Sequence, residues 1–297
     1  MTIPDRYFAR IEAHLPGIDR SRLRVNPDGL ANFVIIADER WVFRFARDDH
    51  SRQDLARERA VLELIRPRLG VSVPDFTPLS DDGVVYPLIE GTPLYRHDLL
   101  RLDGAAQDAF AKELASFLHM LHAVTAAELE AHGLGALLPG ATRDEWRARF
   151  EQAEQALAPY LWADQRAWLA DLFAPLHDGR LAMTFEPVLI HNDLAPYHIL
   201  MAPHRSMTRL AGIIDFGVAG AGDPAADFAT LITTYGESFV RRMAPWYPGL
   251  DDLLDRARLR AGYLEVEWVL KGLATNDPSW YTVHIGRARD MQPIGAK

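Results

Sequence analysis

Apolar positions along the chain change their period twice, and these changes mark out its regions. Ile3 to Leu15 carries its apolar residues at helical spacing, which predicts an amphipathic helix. Asn26-Pro27-Asp28-Gly29 is a turn signature between segments of strand character. Phe33-Val34-Ile35-Ile36 and Trp41-Val42-Phe43-Arg44-Phe45 flank the polar interruption Asp38-Glu39-Arg40, a pattern that predicts a hairpin and hence a small antiparallel sheet. From Ser51 to Leu69, Leu55, Glu58, Leu62 and Ile65 fall on one helical face. A carboxylate inside that apolar stripe needs a partner.

Val84-Val85-Tyr86-Pro87-Leu88-Ile89-Glu90-Gly91 reads as a further strand closing on Pro and Gly, after which helical periodicity takes over. Residues 105–177 place Phe110, Leu114, Phe117, Leu118 and Leu121 on one face and Leu169, Leu172, Phe173 and Leu176 on another. Val188-Leu189-Ile190 and Leu210-Ala211-Gly212-Ile213-Ile214 are short strand candidates, each running directly into a polar cluster. The expected organisation is a sheet lobe over residues 1–90 and a helical lobe over 91–297, with a cleft between them. The sequence holds no internal repeat and no low-complexity tract.

Composition narrows the chemistry. A chain of 297 residues fits one large enzyme-type unit or two lobes sharing a cleft, and 48% apolar with 25% charged residues is ordinary globular usage. With 32 Lys+Arg against 41 Asp+Glu the formal charge is −9, which argues against nucleic acid as the main partner and allows a cationic ligand. The absence of cysteine excludes disulfides, thiolate zinc sites, iron–sulfur clusters and Cys nucleophiles. A charged N-terminal segment, and no run of 18 apolar residues, predict a soluble cytoplasmic protein with no membrane partner, a monomer or a dimer.

The first polar cluster is His191-Asn192-Asp193-Leu194-Ala195-Pro196-Tyr197-His198, and the second is Ile214-Asp215-Phe216-Gly217, with Asp215 placed 22 residues after Asp193. Two carboxylates at the ends of neighbouring short strands can converge on one Mg²⁺–phosphate assembly. Phosphoryl transfer needs such a set: one carboxylate to orient the attacking hydroxyl, others to hold metal that bridges the phosphate oxygens. Either Asp alone reads better as a cap or turn residue; the two clusters in order, after a sheet lobe with its own charge pair, favour the chemistry.

Together with Gly222-Asp223-Pro224-Ala225-Ala226-Asp227-Phe228-Ala229, these clusters resemble the aminoglycoside and macrolide phosphotransferase family, antibiotic kinases with a protein-kinase-like fold. His191-x-Asp193 followed by His198 is similar to the family's H-x-D-x-x-x-x-N/H loop, and Ile214-Asp215-Phe216-Gly217 to its metal-binding segment. The resemblance covers about residues 25–270 and is strongest over 188–230. It implies an α+β, bilobal protein-kinase-like fold with a small antiparallel-sheet N-lobe and a larger helical C-lobe. His-Asn-Asp with a second His most resembles the aminoglycoside 2″-phosphotransferases, whereas macrolide kinases share the second His but usually carry His-Gly-Asp.

Asp193 would accept a hydrogen bond from the substrate hydroxyl, align it for in-line attack and take its proton late, with His191 bracing the loop beside it. Asp215 would bind Mg²⁺ through oxygen. The resemblance also puts His198 in the metal site, although Mg²⁺ prefers oxygen donors; a packed histidine bonded to backbone is the other reading. Kinases pair a strand lysine with a helix glutamate, but the three lysines here (Lys112, Lys271, Lys297) all lie outside the sheet lobe. Arg44 therefore takes that place opposite Glu58, since an Arg fork can neutralise a buried carboxylate and still offer N–H groups to phosphate. Hinge resemblance implies that the Pro87 carbonyl and the Ile89 N–H meet the purine edge. Tyr86 either narrows that pocket in favour of GTP over ATP or packs in the core. The resemblance further implies that Asp227 tethers the catalytic-loop backbone.

Beyond Tyr235, acids alternate with aromatic residues, a rim suited to a polyamine sugar whose ammonium groups need anionic acceptors. Glu237, Glu267 and Trp268 are the expected acceptor contacts. The expected activity is transfer of the γ-phosphoryl of GTP or ATP, with Mg²⁺, to a hydroxyl of an aminoglycoside, which confers resistance. A macrolide or small-metabolite kinase of the same fold, and a non-catalytic nucleotide-binding regulator, are the alternatives.

Overall fold

The computed structural model describes residues 3–26, 32–202, 209–276 and 294–295. Pro27, Asp28 and Gly29 of the expected turn lie outside them, as does the part of the expected acid and aromatic rim beyond Asn276. Helix α1 (Asp5–His14) buries Tyr7 and Ile11 against a five-stranded antiparallel sheet. Its strands are β1 (Leu23–Asn26), β2 (Asn32–Ala37), β3 (Trp41–Ala46), β4 (Thr77–Ser80) and β5 (Gly83–Pro87), in the order β1-β2-β3-β5-β4. Side-chain alternation sorts the two faces. Phe33, Ile35, Phe43, Phe45 and Val85 pack with α1, while Val34, Ile36, Val42 and Tyr86 cluster on the other side. Arg44, between Phe43 and Phe45, shares that second face.

The β2–β3 hairpin turns on Asp38 and Glu39, whose φ angles of +58° and +49° belong to a type I′ turn. Left-handed backbone is costly for residues with a Cβ. Arg22 and Arg24 pair with the two turn carboxylates and help to hold them. Helix α2 (Asp49–Ile65) starts where the Asp48 carboxylate accepts the Ser51 N–H at 2.8 Å. Leu55, Glu58, Leu62 and Ile65 are all buried, as the stripe requires. Val61, Leu62, Leu64 and Ile65 reach into the main core of the helical lobe, so α2 bridges the cleft rather than bordering it.

The chain leaves the sheet after Pro87, and β6 (Thr92–Pro93) already pairs with β8 (Ile199–Met201) of the second lobe. There the helical region expected as one block is divided into α4 (Gly104–His122), α5 (Ala126–Ala131), α6 (Arg143–Leu157) and α7 (Ala163–His177), preceded by the short α3 (Arg96–Leu99). Thr125 with Glu128 and Thr142 with Glu145 form capping boxes that restart the helix. Helices α8 (Ala225–Tyr235), α9 (Glu237–Arg241) and α10 (Leu250–Thr275) complete the lobe, with α4, α8 and α10 meeting in one core. No helix among the described residues is long and apolar enough to cross a membrane.

The two short strands that precede the acids do not pair with each other. Strand β7 (Val188–Ile190) pairs with β10 (Gly220–Gly222), whereas β9 (Leu210–Ile213) pairs with β8. The acids meet through the short turn between these two sheets.

Candidate active site

Beyond β7 the chain enters His191-Asn192-Asp193, with Asn192 at φ +65°. That backbone is fixed from below by Asp227, in the first turn of α8. One Asp227 oxygen accepts the His191 N–H at 2.9 Å, and the other accepts the Asn192 N–H at 2.6 Å. His122 Nε2 lies 3.0 Å from the same carboxylate, and its Nδ1 lies 2.7 Å from the Tyr247 hydroxyl. Burial works against ionisation of Asp227, but the hydrogen bond and charge of His122 outweigh it and hold the carboxyl below its ordinary range. Asp227 thus tethers the loop, and His122 and Tyr247 carry the tether into the core.

His191 braces the loop. Its ring is buried; Nδ1 accepts the Asp193 N–H at 3.3 Å, which leaves the proton on Nε2, 3.2 Å from the Ile214 carbonyl. Burial pushes its pKa down to about 4, so the ring is neutral. It joins the loop of Asp193 to the residue before Asp215.

His198 joins the two acids themselves. Nδ1 donates to the Asp193 carbonyl at 2.8 Å and lies 3.6 Å from the Asp193 carboxylate, while Nε2 lies 3.3 Å from Asp215 Oδ2. Burial disfavours the imidazolium, yet the hydrogen bond and charge of Asp215, with the charge of Asp193, raise its pKa. In this structure His198 stands between the two acids, one ring nitrogen on the Asp193 carbonyl and the other facing the Asp215 carboxylate. Both carboxylates remain accessible, Asp193 at 43% and Asp215 at 46% of the side chain.

The N-lobe closes the other side. Arg44 donates to Glu58 Oε1 at 2.9 Å and reaches Asp215 Oδ1 at 3.7 Å. The same Glu58 oxygen accepts the Phe216 N–H at 3.1 Å, so strand β3, helix α2 and the Asp215 segment share one carboxylate. Burial raises the pKa of Glu58, against the opposing charge of Arg44. Burial also works against ionisation of Asp215, but the His198 hydrogen bond and the Arg44 charge leave it well below the usual carboxylate range. Asp193 goes the other way: burial raises it, only partly countered by His198. The two acids are therefore driven apart in basicity.

The connector expected to meet the purine has a defined backbone. Leu88 N–H donates to Arg40 O at 2.8 Å across the sheet, which turns the flanking Pro87 carbonyl and Ile89 N–H to the opposite edge. Gly212 admits the Ile89 side chain, since a Cβ there would meet Ile89 Cγ2 at 2.6 Å. Tyr86 packs beside Phe76 with ring centroids 5.2 Å apart, and burial pushes its hydroxyl up to about 12.

The acceptor contacts fare differently. Glu237 is buried at 1% exposure, with both oxygens taken by Arg258 at 2.7 and 3.1 Å and one also by Arg241 at 2.9 Å. This corrects the expectation of a substrate ligand: the carboxylate is spent on a buried guanidinium of α10. Glu267 and Trp268 sit exposed on α10, the first 3.9 Å from Arg149 and the second beneath Lys271 Nζ at 5.2 Å. Asp223 is structural, accepting from Arg256 at 2.9 and 3.3 Å with Arg260 at 3.5 Å.

Known proteins are similar to this chain over most of its length. The phosphotransferase enzyme family matches residues 22–268. Viomycin phosphotransferase of Streptomyces vinaceus is 29% identical over 239 residues, 77% of this chain and 79% of that protein. The structure of the GDP and kanamycin complex of APH(2″)-IIIa superposes with a TM-score of 0.77 at 25% identity, covering 93% of this chain and 95% of the other. Macrolide 2′-phosphotransferase MphH from Brachybacterium faecium shares the fold, with a TM-score of 0.69, 24% identity and coverage of 95% and 99%. The bilobal arrangement of a small antiparallel sheet over a larger helical body is accordingly the protein-kinase-like fold of these enzymes. With the match spanning both lobes and both acid clusters, the chain belongs to the phosphotransferase enzyme family.

Proposed function

We propose that the protein transfers the γ-phosphoryl group of GTP or ATP to a hydroxyl of an aminoglycoside. The observation that carries this reading is the joining of Asp193 and Asp215 through His198 at an open face. Asp193, raised in basicity by burial, accepts the hydrogen bond of the acceptor hydroxyl and aligns its oxygen on the γ-phosphorus. As the new O–P bond forms and the bond to the nucleoside diphosphate breaks, the hydroxyl proton passes to Asp193 and then to solvent. Arg44 neutralises Glu58 and keeps N–H groups for phosphate oxygens, while the edge formed by the Pro87 carbonyl and the Ile89 N–H receives the purine.

Among the described residues no cluster of three His, Cys, Asp or Glu side chains stands ready for a metal. Mg²⁺ that arrives with a nucleotide uses one or two carboxylates, phosphate oxygens and water, and Asp215 meets that demand. Gly217 leaves room in front of it: a Cβ there would lie 3.4 Å from Asp215 Oδ1 and 3.7 Å from the unpartnered Glu58 Oε2. When bound, Mg²⁺ supplies neutralisation of charge on the transferring phosphoryl. His198 supports Asp215 by hydrogen bonding. Asp215→Asn is expected to weaken Mn²⁺ binding in the presence of nucleotide by at least about tenfold, read by electron paramagnetic resonance.

The aminoglycoside acceptor is supported by the net charge of −9 and by the kanamycin bound to a similar enzyme. Mass spectrometry after incubation with nucleotide and a mixed panel of aminoglycosides, macrolides and viomycin tests it. An added phosphoryl group on one or more aminoglycosides is the expected result. Modification of macrolides or viomycin alone would overturn the acceptor assignment, and no modification with any acceptor would favour a nucleotide-binding regulator.

A further inference from the structure

We infer that Tyr95 and Tyr197 form an aromatic wall at the mouth of the site, on which a saturated ring of the acceptor rests while its hydroxyl reaches Asp193. This rests on the phosphotransferase reading and adds the residues that select the acceptor. The wall is a product of sheet register. Thr92 pairs with Met201 and Pro93 with Leu200, and the Leu94 N–H donates to the Ile199 carbonyl at 3.2 Å. The antiparallel run therefore carries Tyr95 alongside the turn Pro196–His198, four residues past Asp193 at Tyr197.

Both rings are open, Tyr95 at 42% and Tyr197 at 49% exposure, whereas most large apolar side chains among the described residues are buried. Neither is loose. Tyr197 stands edge-on to His198, with centroids 4.4 Å apart and planes at 82°, and Tyr95 lies parallel to His97 at 5.9 Å. Because His198 also touches both Asp193 and Asp215, the Tyr197 ring is one contact away from the reacting carboxylate.

The chemistry of the ligand follows. Two neutral, electron-rich faces beside two carboxylates suit a ring with a C–H face, a free hydroxyl at its rim and positive charge nearby, which describes an amino sugar. An anionic acceptor would meet Asp193 and Asp215 unfavourably.

Steady-state kinetics on Tyr95→Ala, Tyr197→Ala and Tyr197→Phe tests the wall. Each alanine variant is expected to raise the acceptor KM about tenfold, the size of a lost ring contact, with nucleotide KM and kcat within about threefold of wild type. Tyr197→Phe is expected to keep the wild-type acceptor KM. An unchanged acceptor KM in both alanine variants, a raised nucleotide KM instead, or a phenylalanine variant that behaves like alanine would overturn the inference. The assays use whichever acceptor the panel identifies, and titration calorimetry with kanamycin serves if none turns over. A macrolide-only result removes the aminoglycoside assignment while the wall is still measured on the macrolide. Absence of any acceptor turnover or binding removes both.

Discussion

Asp193→Asn is expected to lower kcat by at least ~10²-fold while leaving nucleotide binding nearly unchanged. The amide keeps the shape of the side chain, and with it the packing against His198, but it cannot take a proton. It also presents a donor where the acceptor hydroxyl must donate. The raised pKa of Asp193 makes the native carboxylate the more basic of the two acids, with Asp215 held ionised by His198 and Arg44 once burial is overcome. Steady-state kinetics with separate titration of nucleotide and acceptor reads the effect. Near-normal kcat in the variant would remove Asp193 from the chemistry.

Glu237→Ala is expected to cost ~3–5 kcal/mol of stability, because it strands a buried cation rather than an exposed one. Arg258 has no exposed surface, and among the described residues its remaining carboxylate partner is Asp255, at 2.7 Å and partly exposed. Denaturant unfolding measures the loss. The fraction that stays folded is expected to keep the wild-type acceptor KM. A substrate contact would give the opposite pattern, a raised acceptor KM with stability intact.

What the sequence discloses depends on how local the cause is. Glu58 announces itself because a carboxylate interrupts an apolar helical stripe, and the structure seats it on Arg44. The β2–β3 hairpin and the acid clusters are equally local, each a polar break after a short apolar run. Glu237 is misread for the reverse reason. Its buried partner Arg258 lies 21 residues away on α10, a helix buried on more than one side, and the i,i+4 spacing to Arg241 gives no sign of it. Asp223 with Arg256 and Arg260 is the same kind of long-range pairing.

Strands β6, β8 and β10 are two or three residues long, too short for alternation to show. Their pairing still decides the site, since it sets β7 apart from β9 and brings Tyr95 to Tyr197. His122 and Asp227 lie 105 residues apart, and only the fold brings the ring to the buried carboxylate. The capping boxes at Thr125 and Thr142 are local Thr-x-x-Glu patterns that a reading of 105–177 as one helical block passes over, and they mark where the helical region breaks.

Phosphorus NMR of protein, Mg²⁺, GTP or ATP and kanamycin measures the central step most directly. The account expects a phosphate monoester resonance coupled to a ring proton of the acceptor, formed by the wild-type protein and missing with Asp193→Asn. Inorganic phosphate as the sole product, or an ester formed equally well by the variant, would contradict it.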